Sequence, residues 1–281
     1  MTDQGTLFCG MELGARIEGV ETDLITKGAA AAHARRSDGQ GFAIPLAGGV
    51  AAYAEPGSPL NKVAGLGFDG VPTTRELVEI EALYAKRDTP VQVELSHLAD
   101  PEIGALLTAR GYRLLGFENV LGLALTDADL PTPAPGVVVS PSDDTEFDLW
   151  LTLVADGFAH PDTQGIASHE EFPREIIAAA MRDLTTAAGV TRYLARHNDA
   201  PAGGASMRLA AGIAQLTGAA TVPTHRRHGV QTALLATRLS DARTAGSDIA
   251  TITTQPASKS QQNAQARGFS LLYPRAILVK S

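Results

Sequence analysis

The chain has 281 residues, 44% hydrophobic and 19% charged, enough apolar material for one large domain or two ordinary ones and too much for a disordered or collagen-like chain. A single cysteine, Cys9, excludes a disulfide framework and any cysteine-rich zinc or iron–sulfur site, so no metal centre is expected. With 23 Lys and Arg against 31 Asp and Glu the net charge is −8, which argues against a general nucleic-acid binder.

The first residues, Met1-Thr2-Asp3-Gln4, carry no basic n-region, and no apolar stretch near membrane-spanning length follows; a cytoplasmic protein with no membrane partner is expected. Helical spacing runs over 8–36, followed by extended runs at 41–55 and 61–68. A helix is predicted over 73–87, with Thr74 as a cap and Leu77, Ile80, Leu83 and Tyr84 at helical spacing. A strand (90–95), a helix stopped by Gly111 (101–110) and a strand pair (112–125) complete this half. Then comes Leu130-Pro131-Thr132-Pro133-Ala134-Pro135-Gly136, whose alternating prolines stiffen the chain and interrupt regular structure. The expected division is 1–130 and 136–281, joined by a linker at 131–135.

The second half repeats the order. A strand (136–140) precedes helices at 144–158 and 170–187. Extended runs at 191–197, 202–209 and 213–222 follow, the first two joined by an Asn198-Asp199 hairpin turn. A helix (229–245), a strand (248–253), a short helix stopped by Gly268 (259–267) and a last strand or pair (269–279) end the chain. Leu107-Thr108-Ala109-Arg110-Gly111-Tyr112 parallels Ala264-Gln265-Ala266-Arg267-Gly268-Phe269. Two α/β domains of one fold, of the α+β type, are inferred, each with a mixed, largely antiparallel twisted sheet flanked by helices.

Charge is unevenly spread. Residues 136–191 hold ten carboxylates against two arginines, whereas 192–281 hold eleven cations against three carboxylates. Facing each other across a cleft, such segments would offer one wall to a cation and the other to a polyanion; solvated surface charge is the simpler reading.

The chemistry-bearing stretch is Thr221-Val222-Pro223-Thr224-His225-Arg226-Arg227-His228-Gly229-Val230-Gln231-Thr232. A strand ends at a proline that cannot donate to a ladder, and a short basic loop opens a helix. The first amides of a helix lack internal partners and carry the positive end of its dipole. A glycine there lets the backbone approach a ligand, and two arginines add donors. The combination suits a phosphate or diphosphate.

This order resembles motif A of the GNAT N-acetyltransferases: Val-x-Pro, then Arg or Gln, then x-x-Gly-x closed by Gly or Ala. The run from Ser260 and Asn263 to Gly268-Phe269 is similar to that family's last helix and its exit. The resemblance spans about 137–280 and implies acetyl-CoA (coenzyme A) as donor and an amine of a small molecule or peptide as acceptor. It implies that Thr221 and Val222 pair with the pantetheine arm like an added strand. The amides of Arg227, His228, Gly229, Val230, Gln231 and Thr232 would cradle the diphosphate, Arg226 would shape the loop, and Ser260 and Asn263 would bond near the thiol end. Two positions depart from the family pattern. Gln231 replaces the closing small residue, and Ala264 stands where many members carry a tyrosine that protonates the thiolate. Tyr273 is the nearest alternative general acid. Asp156, Asp162 and Glu170 flank the expected loop between the first two helices of this half, and Asp156, His160 and Asp162 are candidates for selecting a cationic amine, though solvated surface acids and a loop histidine are the simpler reading. The first half lacks the cradle: Gly67-Phe68-Asp69-Gly70-Val71-Pro72-Thr73 has no basic loop, and Asp69 would repel a diphosphate. An acetyltransferase acting by direct attack in a ternary complex is expected. The alternatives are a non-catalytic acyl-CoA sensor, a mycothiol-synthase-like tandem enzyme, or an aminoacyl-tRNA-dependent transferase of the same tandem fold.

Overall fold

The periodic patterns resolve, in a computed structural model that describes residues 7–126, 132, 135–160, 164, 172–187 and 189–281, into seven α-helices and eleven strands. The first half runs α1 (Met11–Arg36), β1 (Phe42–Leu46), β2 (Gly49–Tyr53), β3 (Lys62–Ala64), α2 (Thr74–Ala85), β4 (Val91–Ser96), α3 (Pro101–Ala109) and β5 (Arg113–Ala124). The second runs β6 (Val137–Pro141), α4 (Phe147–Ala159), α5 (Arg174–Ala187), β7 (Val190–His197), β8 (Ala200–Ala210), β9 (Ile213–Thr221), α6 (Val230–Thr244), β10 (Ile249–Thr254), α7 (Lys259–Gln265) and β11 (Ser270–Lys280). Among these helices none is long and apolar enough to cross a membrane.

Two local details differ from the sequence reading, and a third agrees with it. The cap of α2 is Thr73, one residue before the expected Thr74, because Glu76 lies three residues on and closes a reciprocal capping box with it. The stretch read as a strand pair at 112–125 is one long strand, since nothing in it forces a turn, and the strand or pair expected at 269–279 is a single strand. The Asn198-Asp199 hairpin is present, with both residues left-handed at φ 50° and 66°, as a two-residue turn of the primed type requires.

All strands join one sheet in the order β1-β2-β3-β4-β11-β5-β10-β9-β8-β7-β6. Pairing is antiparallel except at β3–β4 and β9–β10. The halves exchange their final strands: β11 lies beside β4 of the first half, and β5 lies beside β10 of the second. Between them β5 and β11 pair over nearly their full length.

Alternation along the strands feeds two layers. Leu121, Ala214, Leu216 and Ala250 pack under α6 and α7, while Tyr53, Val63, Val93 and Leu278 pack under α2 and α3. The opposite face takes α1, whose Ile17 and Val20 meet Val120, Ile213, Ile249 and Tyr273, and whose Ile25 and Ala29 meet Val50, Ala52 and Ala64. Helix α4 sits on that face too; buried Trp150 donates its Nε1 to Ala205 O at 3.0 Å. Arg35 at the end of α1 pairs with Glu55 (2.6 Å) and with Asp183 on α5 (2.8 Å), tying the halves on that side.

Candidate active site

The β9–β10 pair holds over only three residues, Ile213 to Gln215 against Ile249 to Thr251. Beyond them the parallel strands part, while β9 stays paired with β8 and β10 with β5, and the sheet opens between them. Opposite Gly204 and Ser206 of β8 the register of β9 slips, with Gly218 and Ala219 facing one residue of the partner. This bulge leaves an extra backbone unit outside the ladder and bends the strand. Gly218 is left-handed (φ 57°), and a Cβ on it would stand 2.7 Å from Ser206 Oγ, so only glycine fits. Ser206 Oγ lies 3.0 Å from Thr217 O, and the buried Arg238 of α6 donates Nη1 to Ser206 O at 3.0 Å, fixing the bulge from behind.

The strand end divides the two residues expected to face a pantetheine arm. Val222 N–H donates to Ala202 O (3.0 Å), and its carbonyl accepts from His225 N (3.0 Å), so its backbone is taken by β8 and the turn. Thr221, one residue earlier, points its main-chain groups the other way, toward the splay. Its hydroxyl oxygen is buried with no partner among the described residues.

After Thr221 the chain makes a short 3-10 turn at Pro223–His225, then places Arg227 (φ 66°) and Gly229 (φ 78°) in the left-handed region. Gly229 caps α6 without any side-chain bond, and the helical ladder begins with Ala233 N donating to Gly229 O at 2.9 Å. The first-turn amides therefore point outward uncapped, with no acidic residue in that turn. Arg226 bends back, its guanidinium donating to Thr221 O (3.5 Å) and to His160 O, which locks the loop onto the end of α4. His225 and His228 pack on His197, with Nδ1–Nδ1 3.3 Å for the first and ring centroids 4.6 Å apart for the second. The corresponding helix start in the first half is closed. There Thr73 and Glu76 cap each other, and a Cβ on Gly67 would strike Ala99 and Ile103 at 2.7 Å.

A cavity of about 420 Å³ occupies the splay. It is lined by Leu216 to Ala219 of β9, Thr251 to Thr253 of β10, Gln231 in the first turn of α6 and Ser260 in α7. Gln231, the departure from the family pattern, thus borders the opening. Asn263 is half-buried one turn beyond Ser260 on the same short helix, whose Ser258 caps Gln261 N. Ala264, at the expected tyrosine position, is buried in the core under the sheet.

Other candidates lie apart from the cavity. Tyr273 is buried, does not line the cavity, and donates its hydroxyl to Glu18 Oε1 at 2.7 Å. Burial, with Glu18 beside it, pushes its phenol far above the ordinary range. Asp156 pairs with Arg174, and His160 bonds the Asp156 carbonyl through Nδ1 at 2.9 Å. Asp162 lies outside the described residues. The acidic and basic segments of the second half do meet, but as ion pairs, Asp144–Arg192 (2.7 Å) and Glu146–Arg196, rather than as facing walls of a cleft. Carboxylates do line the cavity, and they come from the first half: Glu21, Glu94 and Glu118. Sequence reading missed them because no local motif marks a residue brought in from the other half by strand exchange. Among the described residues no cluster of His, Cys, Asp and Glu suits a metal ion.

Residues 138–258 match the family model of an acetyltransferase (GNAT) domain. Among solved structures, a GCN5-related N-acetyltransferase from Kribbella flavida superposes with a TM-score of 0.63 at 17% identity, over 90% of this chain and 95% of that one. A tandem GNAT protein from the clavulanic acid biosynthesis pathway gives 0.61 at 14%, over 98% and 96%. A GCN5-related N-acetyltransferase from Sphaerobacter thermophilus gives 0.57 at 13%, over 94% and 93%. No curated protein matches in sequence. The chain shares the fold of these structures over nearly its whole length. Residues 138–258, within its second half, carry the acetyltransferase (GNAT) domain that the family model describes.

Proposed function

We propose that the protein is an N-acetyltransferase that binds acetyl-CoA in the second half and passes the acetyl group to an amine of a small molecule or peptide within a ternary complex. The observation that carries this reading is the uncapped start of α6 behind two left-handed residues, Arg227 and Gly229, at the mouth of an open strand pair. Outward amides at a helix N-terminus, unopposed by any first-turn carboxylate, suit a diphosphate. The orphaned Thr221 hydroxyl and the free edge of β9 suit an arm laid along the splay. When bound, the donor supplies an activated thioester carbonyl. The chain's part is to hold amine and carbonyl together at the cavity, beside the Gly218–Ala219 bulge. Ser260 and Asn263 would bond near the sulfur end. Tyr273 receives no role in proton transfer here, since its hydroxyl is committed to Glu18.

Calorimetry with acetyl-CoA tests the reading, paired with thiol release across a panel of amines. Saturable donor binding and amine-dependent thiol release are expected. Binding without release would make the chain an acyl-CoA sensor, and no saturation at millimolar donor would overturn the reading altogether.

A further inference from the structure

The cavity at the splay continues into a chamber whose far wall is charged. Glu21 on α1, Lys62 on β3, Glu94 on β4, Glu118 on β5 and Arg275 on β11 all line it. Behind Arg275 stands Glu18, almost fully buried on α1, which also accepts from Tyr273. The two cations are already engaged. Arg275 reaches Glu18 and Glu118 at 2.8 Å each, and Lys62 pairs with Glu94. Four carboxyl groups (Glu18, Glu21, Glu94, Glu118) therefore share two cations (Lys62, Arg275) in and behind this wall, so two of the four have no cation of their own.

A second observation points to what enters. Gln215, 7% exposed, lines the same cavity; it donates Nε2 to Glu21 and leaves its Oε1 with no partner among the described residues. A buried amide oxygen needs a donor, and an ammonium group entering beside the carboxylates carries N–H bonds that can supply it. Ile17, Val20, Phe158 and Met181 supply apolar walls on which methylenes would pack. Across the sheet, Glu118 is on the strand that adjoins β10, one wall of the splay, while Glu94 is two strands further away.

We propose that this chamber is the acceptor subsite, that it takes an aliphatic diamine whose two ammonium groups balance the excess carboxylates, and that Glu118 accepts the proton of the reacting nitrogen. The inference rests on the acetyl-CoA reading above and names its acceptor. The bound ammonium gives one proton to the Glu118 carboxylate. The freed lone pair forms the C–N bond at the acetyl carbon as the C–S bond breaks. The nitrogen's second proton goes to the departing sulfur, giving the free thiol, and Glu118 returns its proton to solvent. Burial, and then Glu94, push the Glu118 carboxyl up to about 7 against the pull of Arg275 and Lys62, and burial also raises Glu21. Glu118 thus holds a partial proton near neutrality in the free protein, which an incoming dication displaces.

Calorimetry of the full chain with 1,4-diaminobutane, in two buffers of different ionisation enthalpy near neutral pH, reads affinity and proton release together. Saturable binding with release of part of a proton is expected, and butylamine should bind on the order of tenfold more weakly. Glu118→Gln should weaken diamine binding on the order of tenfold or more, remove most of the proton release, and erase the acidic limb of the turnover–pH profile. Glu21→Gln, which frees no buried cation, is the companion variant should Glu118→Gln fail to fold, and it too should weaken diamine over butylamine. No saturable heat with 1,4-diaminobutane, equal affinity for butylamine, or unchanged proton release in folded Glu118→Gln would overturn the proposal. Titration of acetyl-CoA into the same protein separates the two readings. Donor binding without diamine binding removes only the diamine inference, whereas absent donor binding removes the transferase reading and this inference with it.

Discussion

Gly229 adopts φ 78° at the start of α6, where a Cβ is strained and any added charge faces the outward amides. Asp is one of the few other residues that tolerate the left-handed region, so Gly229→Asp should keep the fold and repel an anion. Its affinity for acetyl-CoA should fall on the order of a hundredfold by calorimetry, with an unchanged circular dichroism spectrum. Glu118 gives a pH signature of its own. Its folded carboxyl is raised to about 7 from an ordinary 4.5, chiefly by burial, so the folded state holds that proton more tightly than the unfolded state. The associated stability is fully present below 4.5 and is lost as the pH rises through 7. Urea unfolding at pH 5 and pH 8 should show this loss, and Glu118→Gln should flatten the difference.

At the scale of elements, two helix starts with the same place in the chain order part company over capping. The first turn of α2 is closed by Thr73 and Glu76, its own side chains, while α6 is left open by Gly229. One start is consumed by the fold and the other is free for a ligand. Strand β11 shows the converse, an element held by charge. Its Arg275 is 2% exposed and joins β11 to α1 through Glu18 and to β5 through Glu118. Arg275→Leu removes the cation and strands buried carboxylates, so it should cost about 3–5 kcal/mol in urea unfolding, more than loss of a surface pair would.

At the scale of the whole molecule, the exchange of β5 and β11 makes each half complete the other's sheet. A protease site engineered into 131–135 should therefore yield two fragments that co-elute as one species on size exclusion and separate only in denaturant. Two independent peaks after cleavage without denaturant would show that the exchanged pairing does not hold the halves together. The same exchange brings Glu94 and Glu118 of the first half to a cavity whose opposite wall is β9 and β10 of the second.

Much of this was legible in the residues. Helix and strand order followed from periodicity, and the loop from Thr221 to Thr232, proposed here as an anion cradle, stood out because its features are local: proline, basic loop, glycine and helix start are consecutive in the chain. The cap at Thr73 was legible too, since Thr73 and Glu76 form a Thr-x-x-Glu box within four residues, whereas the side to which the Val222 N–H points depends on register with β8. The acceptor chamber was invisible for a stronger reason. Glu18, Glu21, Glu94, Glu118 and Arg275 are spread over more than 250 positions, share no motif, and resemble surface charges when read singly. Helix and strand order, the repeated order of the halves and the glycine-led start of α6 could be read along the chain, because each depends on contacts between near neighbours. Which carboxylates lose their water and which strand sits beside which emerged with the folded sheet, because burial and strand exchange are set by contacts between residues far apart in sequence.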